Sequence, residues 1–147
     1  MKTKLLGLLV AGALALAATA TAAAPPPIFA QPIGTGFMKA TTIHAQTGAA
    51  VLDSITIQPG GNFGWHIHGA PVAVIVTSGT LTVFDPKVQG CEPFKVSKGQ
   101  SFVEPANHIH LARNDGTSKV TLYAFYMGVG KPSQANIAET QPKTCNP

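Results

Sequence analysis

Short apolar runs, rich in β-branched and aromatic residues, alternate with polar punctuation along the chain from residue 37 onward. The punctuation consists of glycine, proline, asparagine and aspartate, which favour turns. Each run is long enough for one strand. The predicted strands are Lys39–His44, Val51–Ile57, Phe63–His68, Val72–Thr77, Thr80–Phe84, Phe94–Val96, Ser101–Glu104, His108–Arg113 and Val120–Met127.

No stretch in this region shows a helical period of useful length. Short strands at such close spacing predict an all-β sandwich or barrel. Val74, Val76, Phe102 and Phe125 are predicted to lie in its core. Trp65 is also expected to pack in the interior, on the opposite strand face from the histidine that follows it.

The two ends of the chain differ in composition from this central region. Residues 23–36 are rich in alanine and proline and are interpreted as a flexible lead-in. Residues 131–147 are polar, contain proline and are interpreted as a C-terminal tail. Residues 37–130 therefore form the predicted folded domain.

The first 22 residues have the features of a secretory signal peptide. Lys2 and Lys4 precede the uncharged apolar run Leu5–Ala18, and small residues follow it. A transmembrane anchor is the alternative, but the run is alanine-rich, whereas a span needs ~20 strongly apolar residues. We expect cleavage near Ala22, a periplasmic or secreted location, and no membrane association of the mature chain.

Charge and cysteine content refine this picture. Removal of the two leader lysines lowers the formal net charge from +4 to +2, and no basic cluster remains, so nucleic-acid binding has no support.

The two cysteines, Cys91 and Cys145, would lie in an oxidising compartment after export. A disulfide between them is the favoured interpretation, and it would tie the tail to the middle of the domain.

Four of the five histidines form two His-X-His pairs, His66 with His68 and His108 with His110. Residues two apart share a face of a strand, so each pair directs two imidazoles the same way. Imidazole is a ligand for Zn, Cu, Fe and Ni. The pairs predict a metal site if their strands face each other, and surface positions if they do not. His44 stands alone and is interpreted as a surface residue.

The sequence around the first pair resembles the first motif of the cupin superfamily, a glycine followed by five residues and then His-X-His. Gly60, His66 and His68 fit that spacing, and Gly79 stands where the closing glycine of the motif belongs. The resemblance implies a single antiparallel β-barrel of the jelly-roll type at residues 37–130.

A second cupin motif follows in the expected order. Gly99, Pro105, His110 and Asn114 fit its spacing. Asn107 replaces its inner glycine, a mild change because asparagine tolerates positive φ. Together the two motifs extend from residue 60 to residue 114.

The resemblance implies one divalent transition metal (Fe, Cu, Zn, Mn or Ni) held by His66, His68 and His110. The usual fourth ligand of the family is a glutamate four or five residues after the second histidine, and Val72 and Ala73 stand there instead. No nearby residue obviously supplies the missing carboxylate. Three neutral imidazoles would leave the ion its full charge, which favours an anionic or chelating ligand.

Two further residues have open roles. His108 is either a fourth ligand or a group at the mouth of the barrel that contacts substrate. Glu104 either orients an imidazole through its ring N–H or is simply solvated, and the solvated interpretation is slightly favoured.

Two functions of different classes remain open. One is a small metalloenzyme of the dioxygenase type, and the other is a non-catalytic protein that holds a metal or a small ligand outside the cytoplasm. A homodimer is implied by the resemblance alone.

Overall fold

The structure is a computed structural model that describes residues 30–147, of which residues 32–147 form one compact unit. The predicted signal peptide and residues 23–29 of the lead-in lie outside the described residues. The strands are β1 (Ala49–Ile57), β2 (Asn62–Ile67), β3 (Val72–Ser78), β4 (Thr80–Phe84), β5 (Phe94–Ser97), β6 (Ser101–Glu104), β7 (His110–Arg113), β8 (Val120–Val129) and β9 (Ile137–Ala138). Short 3-10 helices span Gln89–Cys91 and Pro132–Gln134.

These strands form two antiparallel sheets, one ordered β1-β8-β3-β6 and the other β5-β4-β7-β2-β9. Both sheets contribute to the main hydrophobic core, and they form a jelly-roll-like sandwich rather than one closed ladder. The all-β, jelly-roll prediction is confirmed. None of the helices between residues 30 and 147 has the length and apolar character that a membrane crossing requires.

Alternation along most of β3 and β8 decides which side chains enter the core. Val74 and Val76 are buried as predicted, and Phe102 is partly buried against the core. The prediction for Phe125 is wrong, because its side chain is 40% exposed. It lies between Ala124 and Tyr126, which both point inward, so the strand period places it on the outer face.

The predicted strand Lys39–His44 does not form. The segment has strand-like composition, but only Phe37, just before it, finds a pairing partner, in an isolated bridge to Gln100. A strand needs a continuous ladder of backbone partners, and this segment lacks one. Conversely, β9 lies in the predicted tail and is too short to produce a periodic signal.

A second apolar cluster covers the outer face of the five-stranded sheet. Trp65, Phe84 and Leu111 pack there with Cys91 and Cys145. The cysteines form the predicted disulfide, with a sequence separation of 54. Trp65 is therefore buried on the opposite face from His66, as expected, although in this cluster rather than between the sheets.

The polar residues of the second motif close the turns that flank β7. Asn107 has a φ of 55° and donates its backbone N–H to the His68 carbonyl at 2.7 Å. The fully buried Asn114 side chain donates to the carbonyls of Ile57 and Ser118, both at 2.9 Å. The Asn107 bond holds the segment before β7 beside the end of β2, where the histidines lie, and the Asn114 bonds hold the end of β7 beside the end of β1.

Candidate metal centre

Three histidines converge between the sheets. His66 on β2 is the register partner of His110 on β7, and their ring centroids are 4.3 Å apart. His68 follows β2 on the same face, with centroid distances of 4.9 Å to His66 and 5.0 Å to His110. All three are buried, with at most 4% exposure. One ligand atom from each ring lies within 4.8 Å of the others, so the rings can share one ion.

Each of these rings has its Nδ1 atom beside a backbone carbonyl. The distances are 2.9 Å from His66 to Gly64, 2.6 Å from His68 to Ala135 and 2.9 Å from His110 to His108. A carbonyl oxygen can only accept, so each Nδ1 carries the proton and donates it. Whenever a ring is neutral, its Nε2 atom therefore carries the lone pair, which is the arrangement that metal-binding histidines have.

A bulge in β2 provides the carbonyl partner for His66. The register with β7 shifts between Asn62 and Trp65, and Gly64 in this interval has a φ of 68°. The Asn62 side chain accepts the Gly64 N–H at 2.9 Å. Positive φ is readily available to glycine, so this local sequence allows the bulge that orients the imidazole.

Glu104 is the residue that the sequence interpretation underestimated. It is 8% exposed rather than solvated, and its carboxylate oxygens lie 3.0 Å from His68 Nε2 and 3.2 Å from His110 Nε2. It belongs to β6, where Val72 is its register partner, and Val72 also pairs with Tyr126 on β8. The slightly favoured interpretation of Glu104 as solvated is wrong, because packing of one sheet on the other places its carboxylate against two of the clustered histidines.

The charge states follow from burial and these contacts. Burial, together with the positive charge of His110, lowers the pKa of His66 to about 4, so its ring is neutral. Burial by itself would raise the pKa of Glu104, but its contacts with His110 and His68 outweigh burial and hold the pKa at about 2. Burial also opposes the charged form of His110, but the Glu104 carboxylate outweighs it and raises the pKa of that ring.

A small cavity of about 30 Å³ adjoins the cluster. Tyr126 borders it, with its ring 5.3 Å from that of His68, and burial raises the pKa of the tyrosine to about 12, which keeps the phenol protonated. The volume corresponds to roughly one water molecule. A larger open groove of about 480 Å³ lies against residues 37–41 and contains none of the clustered histidines. The small cavity beside the histidines, not the groove, is lined by Ile55, Phe63, His66, His68, Val74, Leu81, Glu104, Ala112, Leu122, Ala124, Tyr126 and Asn136.

The structure does not bring the other two histidines into this cluster. The His108 ring is directed to Asp85, with Nε2 2.9 Å from Oδ1. His108 therefore contributes to the site only its backbone carbonyl, which accepts the hydrogen bond from His110 Nδ1. His44 is exposed, as the sequence indicated. Ala135 and Asn136 were missed, because a backbone carbonyl and an amide in an aperiodic tail leave no signal in the sequence.

The residues present fit a divalent transition metal. Three imidazoles are donors typical for Zn, Cu, Fe and Ni, and a carboxylate lies against two of them. His68 Nε2 and His110 Nε2 are buried, and neither has a hydrogen bond of acceptable geometry, although Glu104 is within contact distance. Buried polar atoms without a partner are rare, and a shared ion would satisfy both.

Solved structures with a similar fold include the polyketide cyclase RemF from Streptomyces resistomycificus, with a TM-score of 0.53 and 14% identity over 67% of this chain and 66% of the cyclase. An oxalate oxidase has a TM-score of 0.50 and 21% identity over 60% of this chain and 45% of its own. Both matches thus span less than two thirds of the similar protein. An uncharacterised double-stranded β-helix protein from Klebsiella pneumoniae subsp. pneumoniae MGH 78578 has a TM-score of 0.48 and 17% identity over 67% of this chain and 83% of its own.

Sequence comparison defines the family. No curated protein sequence matches the chain. A family model described as a cupin domain matches residues 54–126, which include both His-X-His pairs and Glu104. With this match, the jelly-roll sandwich and the position of the histidine cluster, the chain belongs to the cupin superfamily.

Proposed function

We propose that the protein binds one divalent transition metal through His66, His68, His110 and Glu104. One observation carries the proposal: each imidazole donates its Nδ1 proton to a carbonyl, which leaves the three Nε2 atoms of one buried cluster as the atoms available to a metal ion. Such orientation of each ring by its second nitrogen is typical of metal ligands.

Glu104 takes the part of the missing family glutamate in this proposal. It approaches from the opposite sheet, and it is ionised because its pKa is held at about 2. One carboxylate with three neutral imidazoles leaves a divalent ion a net charge of about +1 and at least one open position. An anionic ligand at that position is still favoured, but less strongly than with three histidines alone.

We further propose a metal-dependent oxidoreductase of the dioxygenase type that acts on a small anionic or chelating molecule. The bound ion would supply Lewis acidity or oxygen activation. The chain would contribute a small cavity, a protonated Tyr126 phenol as hydrogen-bond donor and the Glu104 carboxylate. The cavity of about 30 Å³ favours ligands of few atoms over catechols or flavonols.

The same small cavity favours a second candidate function. A site with room for roughly one water beside the ion is also suited to holding the metal without chemistry. A carrier outside the cytoplasm would have this property. The Cys91–Cys145 disulfide supports an oxidising compartment, and export by the predicted leader is part of the proposal.

Metal analysis followed by oxygen uptake tests these functions. Residues 23–147 are purified, metal content is measured after loading with Fe, Mn, Zn, Cu or Ni, and oxygen consumption is followed with two- and three-carbon carboxylates, catechol and a thiol. We expect one equivalent of metal and oxygen uptake with a small carboxylate. Metal without uptake would favour the carrier, and less than a tenth of an equivalent for every metal would overturn metal binding.

Glu104→Gln tests the fourth donor. The substitution keeps the shape of the side chain but removes its charge, so we expect the metal affinity to fall roughly 10- to 100-fold, as it does when groups that support a metal site are lost. Competition with a chelator measures the affinity. Glu92→Gln is the matched control, because Glu92 is exposed. Equal affinities for the two variants would show that Glu104 does not act on the metal.

A further inference from the structure

We propose that the C-terminal segment, residues 131–147, contributes to the metal centre by positioning the His68 imidazole. The inference rests on the proposed function. It differs from the sequence interpretation, in which this segment is only a tail held by a disulfide. The feature that carries it is the hydrogen bond from His68 Nδ1 to the Ala135 carbonyl, at 2.6 Å and buried.

The three clustered imidazoles differ in what orients them. His66 and His110 each donate to a carbonyl two residues earlier in the chain, Gly64 and His108. Their hydrogen-bond partners are therefore local in sequence. His68 donates to a residue 67 positions later. Its orientation therefore depends on whether the C-terminal segment is in place.

The carbonyl of Ala135 is held by local structure. Ala135 is buried in the core, has helical φ and ψ of −58° and −41°, and donates its N–H to the Pro132 carbonyl at 3.2 Å. This short turn after β8 sets the direction in which the Ala135 carbonyl points. A change in the ψ of this one residue would move the acceptor away from His68.

The residues that follow attach the segment to the strand that carries the histidines. In β9, Ala138 is the register partner of His66 and Ile137 that of Ile67. Glu139 donates its N–H to the Trp65 carbonyl at 2.8 Å. The segment thus forms the edge strand beside β2 as well as the acceptor for its last histidine.

The disulfide anchors the far end of the segment. Cys145 is buried against Trp65 and Leu111 on the outer face of the sheet, opposite the metal cluster. The Gln141 side chain donates to the Cys145 carbonyl at 2.8 Å and orders the approach to the bond. The segment is therefore fixed at its start by β8 and at its end by Cys91.

Asn136→Pro tests the role of the Ala135 carbonyl. Proline disfavours helical ψ at the preceding residue, so it should turn this carbonyl away while leaving the disulfide and all metal-binding side chains intact. Asn136→Ala is the matched control, since it removes the same side chain without restricting Ala135. The probe is Co²⁺, whose visible absorption reports the number and geometry of its ligands.

We expect Asn136→Pro to weaken Co²⁺ binding at least 10-fold relative to Asn136→Ala and to change the visible spectrum. A variant with Cys91→Ser and Cys145→Ser, measured well below its melting temperature, should change the spectrum in the same direction. Should Asn136→Pro fail to fold, the cysteine variant decides. Wild-type affinity and spectrum in the deciding variant would overturn the inference, whereas failure of the wild-type protein to bind Co²⁺ would instead overturn the proposed function.

Discussion

His110→Ala is expected to lower the affinity for a divalent transition metal on the order of 100- to 1000-fold. Structural zinc sites with four ligands bind with roughly 10–16 kcal/mol, or ~2.5–4 kcal/mol for each ligand, and about 1.4 kcal/mol corresponds to a tenfold change. His110 also contacts Glu104 at 3.2 Å, so its loss removes one ligand and one neighbour of the carboxylate. Chelator competition with Zn²⁺ measures the change.

The matched control is His44→Ala, because His44 is exposed and lies outside the cluster. His66→Ala should resemble His110→Ala, since the two residues are direct register partners and share the same face. Circular dichroism of the metal-free proteins must show that the sheets persist. An affinity for His110→Ala within threefold of the His44→Ala value would show that the three imidazoles do not bind the metal together.

Loss of the Cys91–Cys145 disulfide is expected to cost about 4 kcal/mol of unfolding free energy. The bond closes a loop across a sequence separation of 54, and the chain-entropy relation gives about 4 kcal/mol for a loop of this length. For a domain of roughly 120 residues this corresponds to a fall in Tm of about 15 °C. Thermal unfolding of the metal-free protein with both cysteines changed to serine measures the effect.

Wild-type protein reduced with a phosphine is the matched control for that variant. Reduction opens the same loop without changing the residue types in the cluster around Trp65. The two samples should therefore unfold within a few degrees of each other. Equal Tm values for the oxidised protein and the serine variant would contradict the expected stabilisation, and alkylation of both thiols in native protein prepared without reductant would contradict the bond itself.

Features with a local cause could be predicted from sequence. The period of two in β3 and β8 indicated strands and placed Val74 and Val76 in the core. The same period put His66 and His68 on one face. The positive φ of Asn107 followed from the residue that replaces a glycine in the second motif. These are properties of one strand or one turn, so neighbouring residues are sufficient to determine them.

Errors arose where pairing or packing decides the outcome. Lys39–His44 has strand-forming residues but no ladder of partners, and Phe125 is apolar but lies on the outward face of β8. His108 shares a His-X-His pair with His110, yet its ring turns to Asp85 because β7 begins only at His110. In each case the residue type suited the predicted role, but the position of the residue in the sheet did not allow it.

The chain pattern alone therefore accounted for most of the strands, the shared face of His66 and His68 and the pairing of the two cysteines. Only the tertiary structure brought Glu104 across from the other sheet and placed the Ala135 carbonyl beside His68. The physical reason is distance along the chain. The period of a strand determines only how residues two apart are oriented relative to each other. A contact between sheets depends on the simultaneous packing of many side chains from distant parts of the chain, and a short stretch of sequence contains no information about that packing.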